Sequence, residues 1–262
     1  MRALIAQLES AVSDPSANVD RAVAAIAEHP DVDFAVFPEL FLSAYDLRSL
    51  ERTALAANGD ELAEIATAAA AAGTAVVIGF AERLDNGSFA NSAACIDADG
   101  TLVTVYRKTR LFGSERKVFT AGDELSLVAL AGVLVAPLVC FDVEFPEPAR
   151  ALAIAGAELL VTVSANMEPY GDDHEIATRA RALENNLPHL YANAVGAVGR
   201  HRFVGRSRSI GAKGDVLAEA GRAEELLVAQ VGKGGPASEE VDYLRQLTDA
   251  LPVVVQQPAT RR

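Results

Sequence analysis

The most constraining feature of this sequence is a set of three apolar, strand-like runs. Each of them ends at or near a chemically active side chain, which limits the folds and sites that the chain can form. The run LVAPLVC ends at the thiol of Cys140, FAVFPEL carries Glu39 near its end, and TLVTVYRK ends at Lys108. Glu39 could simply cap a helix and Lys108 could simply solvate a strand end, but neither alternative explains why both charges end apolar runs. Three strands that deliver a thiol, a carboxylate and an ammonium group predict one site at one edge of a sheet.

The segment after Cys140 predicts a sharp turn from strand to helix. It reads FDVEFPEPARALAIAGA, with Pro146 suited to the first turn of the helix. A thiol on such a turn projects from the sheet, and the N–H of Phe141 can face a developing oxyanion. Most free cysteines are small buried hydrophobic residues, and Cys95 in NSAACID is interpreted as one of these. The pattern therefore predicts an acyl-transfer enzyme with Cys140 as its nucleophile.

Strand and helix patterns alternate along the whole chain, with hairpin signals between them. Strands are predicted at 2–9, 33–38, 74–83, 89–97, 102–108, 157–164, 187–195, 203–211, 215–220 and 225–231, and two more flank Ala131-Gly132. Helices are predicted at 16–28, 60–72, 146–155, 173–186 and 238–249. This alternation indicates an α/β protein in layers, with helices covering the outer faces of sheets.

Composition and charge limit the binding partners and the cellular compartment that can be expected for this protein. The formal net charge of −13 argues against nucleic acid, whose phosphates need clustered Lys and Arg. Two cysteines in unlike contexts make no disulfide framework, which favours a reducing compartment. No basic-then-apolar leader opens the chain, and no apolar run approaches the roughly 18 residues of a membrane span. We expect a cytoplasmic protein with no membrane partner.

The histidines do not predict a metal site. His29, His174, His189 and His201 lack the spacing of metal ligands, so they are interpreted as surface or packing residues. The glycine-rich run GKGG at 232–235 lacks the strand-to-helix setting of a phosphate loop. The sequence therefore predicts neither a metal nor another cofactor.

The segments FPEL, YRKTRLFG and VCFDVEFPE resemble the three signature segments of the nitrilase, or carbon–nitrogen hydrolase, superfamily. Further matching runs, among them NSAACIDADG, GAELLVTVSAN and YANAVG, extend the resemblance from about residue 2 to residue 231. The resemblance implies an α-β-β-α sandwich over residues 1–231 that dimerises into an αββααββα stack. It also implies that the tail, 232–262, lies with its short helix at the dimer interface.

The same resemblance implies a role for each residue of the site. Glu39 is the general base, Cys140 forms a thioester, and Lys108 with the Phe141 N–H stabilises the oxyanion. A second glutamate usually follows the lysine and helps to hold it, and Glu115 in LFGSERKVF matches it. The segment around this glutamate is one residue shorter here than in the family. In the helix at 173–186, RARALEN resembles an internal polar cluster that carries Arg181; the alternative is a solvated helix face.

Within the superfamily, the chain is most similar to the 5-aminopentanamidase and aliphatic-amidase branch. Members that act on dicarboxylate monoamides hold an arginine where this chain has Glu144, so a neutral or amine-bearing acyl chain is expected. Alternatively, Glu144 pairs with Arg150 or Lys108 and never contacts substrate. The residues expected to line the acyl pocket follow two strands: Tyr45, Asn166, Met167 and Tyr170. Phe41 could line it too or belong to the core.

Three other functions are alternatives to that of an amidase. Nitrilases usually carry a CWEH-like segment and N-carbamyl amidases a CWDQWFPE-like one, whereas this chain reads CFDVEFPE. A catalytically silent scaffold would not need the intact Glu39, Lys108 and Cys140. The sequence thus predicts an amidohydrolase that converts small aliphatic primary amides, its only predicted small-molecule partner, to carboxylate and ammonia.

Overall fold

The computed structural model describes residues 1–235 and 238–248 of the chain. Its strands are β1 (Arg2–Gln7), β2 (Phe34–Val36), β3 (Ala75–Arg83), β4 (Phe89–Ile96), β5 (Leu102–Arg107), β6 (Val128–Leu130), β7 (Val133–Val139), β8 (Leu159–Ser164), β9 (His189–Asn193), β10 (Ala197–Val198), β11 (His201–Arg202), β12 (Arg208–Ile210), β13 (Val216–Glu219) and β14 (Glu225–Gln230). The α-helices are α1 (Pro15–Ala27), α2 (Leu50–Thr53), α3 (Asp60–Ala72), α4 (Pro146–Ile154) and α5 (Gly171–Asn185). Short 3-10 helices lie at Gly113–Lys117, Cys140–Glu144 and Glu239–Val241.

Within the described residues, the strands form two six-stranded sheets and a small hairpin of β10 and β11. The first sheet has the order β14-β1-β2-β3-β4-β5, and the second has the order β13-β12-β9-β8-β7-β6. Each sheet has a parallel centre, β1-β2-β3 in one and β7-β8-β9 in the other, with antiparallel strands outside it. Parallel strands are buried on both faces, which is why these segments read as nearly continuous apolar runs.

Alternating side chains of each strand pack in different layers. Between the sheets, Ile5 and Val77 of the first sheet share a core with Val139 and Val161 of the second. The neighbouring residue Leu4 faces the other way, into a core with helices α1 and α3. Helices α4 and α5 cover the outer face of the second sheet in the same manner. The predicted α-β-β-α sandwich is confirmed.

Helix ends agree with local sequence signals. The Asp14 side chain accepts a hydrogen bond from the Ala17 N–H at 3.1 Å and caps α1, whose first residue is a proline. Helix α3 ends at Gly73, whose φ of +66° is left-handed, as is common for a glycine just after a helix. Pro146 begins α4, as predicted.

Two predicted elements are wrong. The strand predicted at 203–211 forms only at Arg208–Ile210, because Gly205 and Arg206 have φ of +64° and +59° and interrupt an extended strand. The helix predicted at 238–249 is absent over 238–248, which contain one 3-10 turn, Glu239–Val241. Leu244 packs against the core beneath α4 and α5, but Tyr243 and Leu247 are 39% and 48% exposed, so little apolar surface is buried to stabilise a helix there. Residue 249 lies outside the described residues. Among the described helices, none has the length and apolar character needed to cross a membrane.

Candidate active site

The three reactive strand ends meet where the two sheets face each other. Glu39 follows β2 and Lys108 follows β5 in the first sheet, whereas Cys140 follows β7 in the second. Lys108 Nζ donates a hydrogen bond to Glu39 Oε1 at 2.6 Å. The Glu39 backbone N–H donates to the carbonyl of Ser164, at the end of the strand beside β7, at 3.3 Å. The two sheets therefore contribute complementary parts of one cluster.

The Glu39 carboxylate is held on both oxygens. Oε1 accepts from Lys108 and, at 2.7 Å, from Asn91 Nδ2, while Oε2 accepts from the Ala165 N–H at 2.8 Å. Burial raises the pKa of Glu39, against the charge of Lys108, which lowers it. A fixed carboxylate with a raised pKa is suited to take up and return a proton. The sequence did not single out Asn91, which looks like any polar residue of an alternating strand.

Lys108 lies between two carboxylates. Its Nζ is 2.6 Å from Glu39 and 2.9 Å from Glu115 Oε2, and all three side chains are buried. Glu115 is itself fixed by the Tyr45 hydroxyl at 2.6 Å and by the Phe112 N–H at 2.8 Å. Burial lowers the pKa of Lys108, but the carboxylates of Glu115 and Glu39 outweigh it and raise the pKa well above its usual value. Lys108 is therefore a permanent cation within the site.

Cys140 lies on a strained turn. Its φ of +46° is left-handed, a conformation that non-glycine residues rarely adopt outside special sites. It begins the 3-10 helix Cys140–Glu144, so the N–H of Phe141 precedes the hydrogen bonds of that helix. Burial and the Glu39 carboxylate raise the pKa of the Cys140 thiol well above its usual value, whereas Lys108 and the Ser164 hydroxyl lower it. The resting thiol thus keeps its proton and needs a base.

Asp142 connects the loop that follows Lys108 to the turn at Cys140 through hydrogen bonds, a role that was not predicted from the sequence. Its Oδ1 accepts from the N–H groups of Thr109 and Arg110 at 3.2 and 2.8 Å. Its Oδ2 accepts from the Tyr106 hydroxyl at 2.9 Å and from the Val139 N–H at 3.1 Å. The available signal was an acidic residue between two apolar ones directly after the nucleophile.

Arg181 supports the same turn from helix α5. Its Nε donates to the Val143 carbonyl at 3.0 Å and its Nη2 donates to the Glu144 carbonyl at 2.9 Å. Arg181 is buried, and its remaining contact is with Glu184 at 2.8 Å. The interpretation of RARALEN as an internal polar cluster agrees with the structure.

A small cavity with an empty volume of about 290 Å³ opens beside the nucleophile. Every residue predicted for the acyl pocket lines it, together with some that were not predicted: Tyr45, Phe112, Cys140, Phe141, Glu144, Ala165, Asn166, Met167, Tyr170 and His174. The ring of Phe112 makes edge contacts with Phe141 at 5.3 Å and with Tyr170 at 5.5 Å. These rings form the aromatic wall in a chain that has no tryptophan. Phe41 lies instead in the core beneath α1 and α3.

The partner of Glu144 differs from both predicted ones. Among the described residues its ion-pair contact is His174, whose Nε2 lies 3.2 Å from Glu144 Oε1. Glu144 is therefore paired with another side chain, as the alternative held, but that partner is His174 rather than Arg150 or Lys108. Its carboxylate keeps partial exposure, at 30%, toward the cavity that Cys140 also lines. His174, interpreted from sequence as a surface or packing residue, is a buried component of this pocket.

The described part of the chain contains no group of three or more His, Cys, Asp or Glu side chains that could hold a metal ion. The cluster instead combines a thiol, a buried cation and two buried carboxylates. This set of groups can perform proton transfer and covalent catalysis with the protein's own side chains.

Comparison with known proteins identifies a family and several relatives that this chain resembles in sequence and structure. The sequence model of the carbon–nitrogen hydrolase family matches residues 2–234. A hydrolase of Pseudomonas protegens is 39% identical over 89% of this chain and 83% of its own length. An (R)-stereoselective amidase of a Pseudomonas species is 38% identical over 94% of this chain and 90% of its own length.

Solved structures of an amidase from a Nesterenkonia species share the fold. One, a glutamate-to-glutamine mutant, has a TM-score of 0.84 at 28% identity, covers 94% of this chain and 93% of that one, and shows the acetamide moiety of fluoroacetamide added covalently to the active-site cysteine. Another, a cysteine-to-alanine mutant in complex with butyramide, has a TM-score of 0.83 at 29% identity and covers 94% of both chains.

Proposed function

Because this chain belongs to the carbon–nitrogen hydrolase family, we propose that it hydrolyses small aliphatic primary amides to carboxylate and ammonia through a thioester on Cys140. The observation that carries the proposal is the buried cluster of Glu39, Lys108 and Glu115, which borders the strained Cys140 turn. The relatives named as amidases support amides as the substrate class.

Acylation starts with the protonated thiol. Glu39 takes the proton of Cys140 as the sulfur bonds to the amide carbonyl carbon. The charge that develops on the carbonyl oxygen is stabilised by Lys108 Nζ and the Phe141 N–H. When the tetrahedral intermediate collapses, the C–N bond breaks and the protonated Glu39 gives its proton to the departing ammonia. The thioester remains on Cys140.

Deacylation repeats these steps with water. Glu39 removes a proton from the water as its oxygen bonds to the thioester carbon, and the same donors stabilise the second oxyanion. Collapse breaks the C–S bond, and the sulfur recovers the proton from Glu39. Glu115 does not exchange protons in this scheme; its charge keeps Lys108 cationic and in place.

The dimensions of the pocket favour a short acyl chain. The part of the cavity that a water-sized sphere can occupy is about 20 Å³, which is small for a ligand site. Aromatic side chains of Phe112, Phe141 and Tyr170 supply an apolar wall for methylene groups. We therefore assign acyl chains of a few carbons rather than large or branched ones.

The charge of the pocket leads to a more specific proposal about which acyl chains the enzyme prefers. Glu144 contributes a carboxylate to the cavity, and His174 engages one of its oxygens. A carboxylate in that position repels an acidic acyl chain and can pair with an ammonium group. We therefore assign a preference for neutral or amine-bearing amides over ω-carboxy amides of the same length. A partly desolvated charge pair is worth about 1–3 kcal/mol, or about 10- to 100-fold in kcat/KM.

A substrate panel tests both proposals. Ammonia release is measured with butyramide, 5-aminopentanamide, glutaramate, butyronitrile and a carbamoyl compound, with Cys140→Ala as the control. The amides should be turned over and Cys140→Ala should be inactive; a faster reaction with the nitrile or the carbamoyl compound would contradict the amidase assignment. Glu144→Gln should narrow the gap between 5-aminopentanamide and glutaramate. An equal loss on all substrates would instead make Glu144 a structural group.

We also propose that two copies of this chain associate through helices α4 and α5. Ile154, Ile176 and Leu183 are 64%, 70% and 41% exposed on these two helices, and a shared interface would bury their apolar surface. The family resemblance also implies that the tail at 232–262 lies at the dimer interface; residues 236–237 and 249–262 of this tail lie outside the described residues. Sedimentation should give a dimer for the intact chain and a shift toward monomer for Ile176→Glu. A monomeric intact chain would refute this assembly.

A further inference from the structure

A second small cavity lies beside the buried cluster, with an empty volume of about 250 Å³. Glu39 lines this second cavity but not the acyl cavity, whereas Cys140 lines the acyl cavity but not the second one. Tyr45 and Ala165 belong to the walls of both. The base and the nucleophile of the proposed mechanism therefore face two different cavities that adjoin each other.

The size and lining of the second cavity suit a single water molecule. The part of it that a water-sized sphere can occupy is about 10 Å³. A buried water needs about 10–15 Å³ on this measure and a few polar partners. Glu39 supplies a carboxylate to the lining, and Ser10 and Glu9 supply a hydroxyl and a second carboxylate. The cavity therefore fits a water and is too small for an acyl chain.

The lining of the second cavity extends from solvent to the buried base. Glu9 is exposed and Ser10 is half-buried, whereas Glu39 is 2% exposed. The Glu9 side chain lies against Gly196, where an added Cβ would overlap its carboxylate. Buried apolar side chains form the wall between these polar ends. The cavity is therefore a path along which water can reach Glu39 without passing through the acyl cavity.

The acyl cavity has no room for a water once an acyl group fills it. A water-sized sphere can occupy only about 20 Å³ there, which is room for about one or two waters. A butyryl group on Cys140 takes up this space. Deacylation nevertheless needs a water within reach of Glu39, at the position that the departing ammonia leaves. The second cavity gives access to that position from the side of the base.

Glu39 keeps one acceptor position for this water. A carboxylate has about four such positions, two on each oxygen. Lys108 and Asn91 donate to Oε1, and the Ala165 N–H donates to Oε2. The remaining position on Oε2 can take a proton, from the thiol during acylation and from the water during deacylation.

We propose that the second cavity is a water-binding site that supplies the hydrolytic water to Glu39 during deacylation. This inference rests on the proposed function, because it concerns the water that ends the catalytic cycle. The water oxygen bonds to the thioester carbon and one of its protons passes to Glu39 Oε2. The C–S bond then breaks as the sulfur of Cys140 recovers that proton. Acylation thus uses the acyl cavity, and deacylation takes its water from the other side of Glu39.

Ala194→Val tests this site, because Ala194 lines the second cavity and not the acyl cavity. The protein is mixed in excess over 4-nitrophenyl butyrate, so that each molecule turns over at most once. Release of nitrophenolate, corrected with Cys140→Ala, measures acylation. Loss of the butyryl group from the Cys140 peptide, followed by rapid quenching and mass spectrometry, measures deacylation. Ala194→Val should leave acylation within about twofold and slow deacylation about 10- to 100-fold, as expected when a reacting group is displaced by about 1 Å.

Two further variants separate a blocked cavity from a general loss of packing. Ala229→Val makes the same enlargement in β14, at a residue that is also 6% exposed and lines neither cavity. It should leave both rates unchanged. Ser10→Leu fills the solvent end of the second cavity and should slow deacylation selectively, by less than Ala194→Val does. Thermal unfolding checks that each variant is folded.

The outcomes distinguish failure of the water site from failure of the proposed function. An unchanged deacylation rate in Ala194→Val, an equal slowing of acylation, or an equal effect of Ala229→Val would overturn the water site and leave Cys140 as the nucleophile. If Ala194→Val does not fold, an unchanged deacylation rate in Ser10→Leu overturns it. A wild type that never carries a butyryl group on Cys140 would instead overturn the proposed function, and this inference with it.

Discussion

The two cysteines of this protein share one interior but differ in every feature that matters for reactivity. Cys95 and Cys140 both belong to the core between the sheets. Around Cys95 the surroundings are apolar, and burial alone raises its pKa to about 12. At Cys140 burial acts too, but Lys108, Glu39 and Ser164 also act on the thiol. Burial alone suppresses a thiol, whereas burial beside a cation and a base prepares one for proton transfer.

The backbone accounts for this difference in surroundings. Cys95 lies inside β4, paired with Val77 on one side and Thr104 on the other. Its extended conformation commits the side chain to the core. Cys140 follows the last residue of β7, and its positive φ turns the thiol toward the edge where Glu39 and Lys108 end their own strands.

The strongest test of the difference between the two cysteines is to remove each thiol in turn. Cys140→Ala should lower kcat for butyramide by at least about 10⁴-fold, because no other group can form the covalent intermediate. Cys95→Ala should leave kcat within about twofold and cost some stability from the small cavity. Ammonia release and thermal unfolding of both variants measure this. Comparable activity in the two variants would show that the two thiols are not functionally distinct.

Removing the cation beside Cys140 should have the next largest effect. Lys108→Ala should lower kcat about 10²–10³-fold with little change in KM, because its charge meets the oxyanion rather than the ground-state amide. Lys117→Ala is the matched control, since Lys117 is exposed on the same segment. Steady-state kinetics with butyramide separate kcat from KM. A change confined to KM would place Lys108 in substrate binding instead.

His189 offers a test of burial on a titratable side chain outside the cluster around Cys140. Burial lowers the pKa of His189 to about 4, and the ring bonds to Thr162 and to the Thr178 carbonyl. The unfolded chain, with a pKa near 6.5, binds more protons between these values. This contribution to stability is therefore complete above pH 6.5 and is lost as the pH falls toward 4, by about 3 kcal/mol.

Urea unfolding at pH 7 and pH 4 checks this prediction. The difference in unfolding free energy between wild type and His189→Gln should shrink by about 3 kcal/mol at the lower pH. A constant difference for His189→Gln would mean that the ring titrates normally in the folded protein.

Much of the site could be predicted because its principal residues end apolar runs. Glu39, Lys108 and Cys140 each follow a strand whose apolar character is visible in sequence. The prediction that they share one edge of one sheet is wrong, because Cys140 follows a strand of the second sheet and meets the other two only where the sheets pack together. The layered α/β class followed from the alternation of strands and helices, whereas the α-β-β-α sandwich was implied by the resemblance to the carbon–nitrogen hydrolase superfamily. The cytoplasmic location stays a prediction from composition.

The rest depends on contacts between distant segments. Glu144 and His174 are 30 positions apart and meet only after α5 packs beside the Cys140 turn. The sequence around either residue therefore does not predict their contact. Asn91 has no local pattern that marks it as a buried anchor, and the only local signal for Asp142 is its place between two apolar residues after Cys140. The tail helix failed for a different reason: its apolar residues had a helical pattern, but a short segment needs a packed face to become a helix.

The most direct measurement locates the acyl group during turnover. Wild type and Glu39→Gln are mixed with butyramide, quenched rapidly in acid, digested and analysed by mass spectrometry. Cys140 as the nucleophile predicts a butyryl group on the peptide that contains Cys140, none on the peptide that contains Cys95, and none anywhere in Cys140→Ala. Ammonia release without an acyl group on Cys140 in either protein, or with the group on another residue, would contradict a thioester mechanism at Cys140.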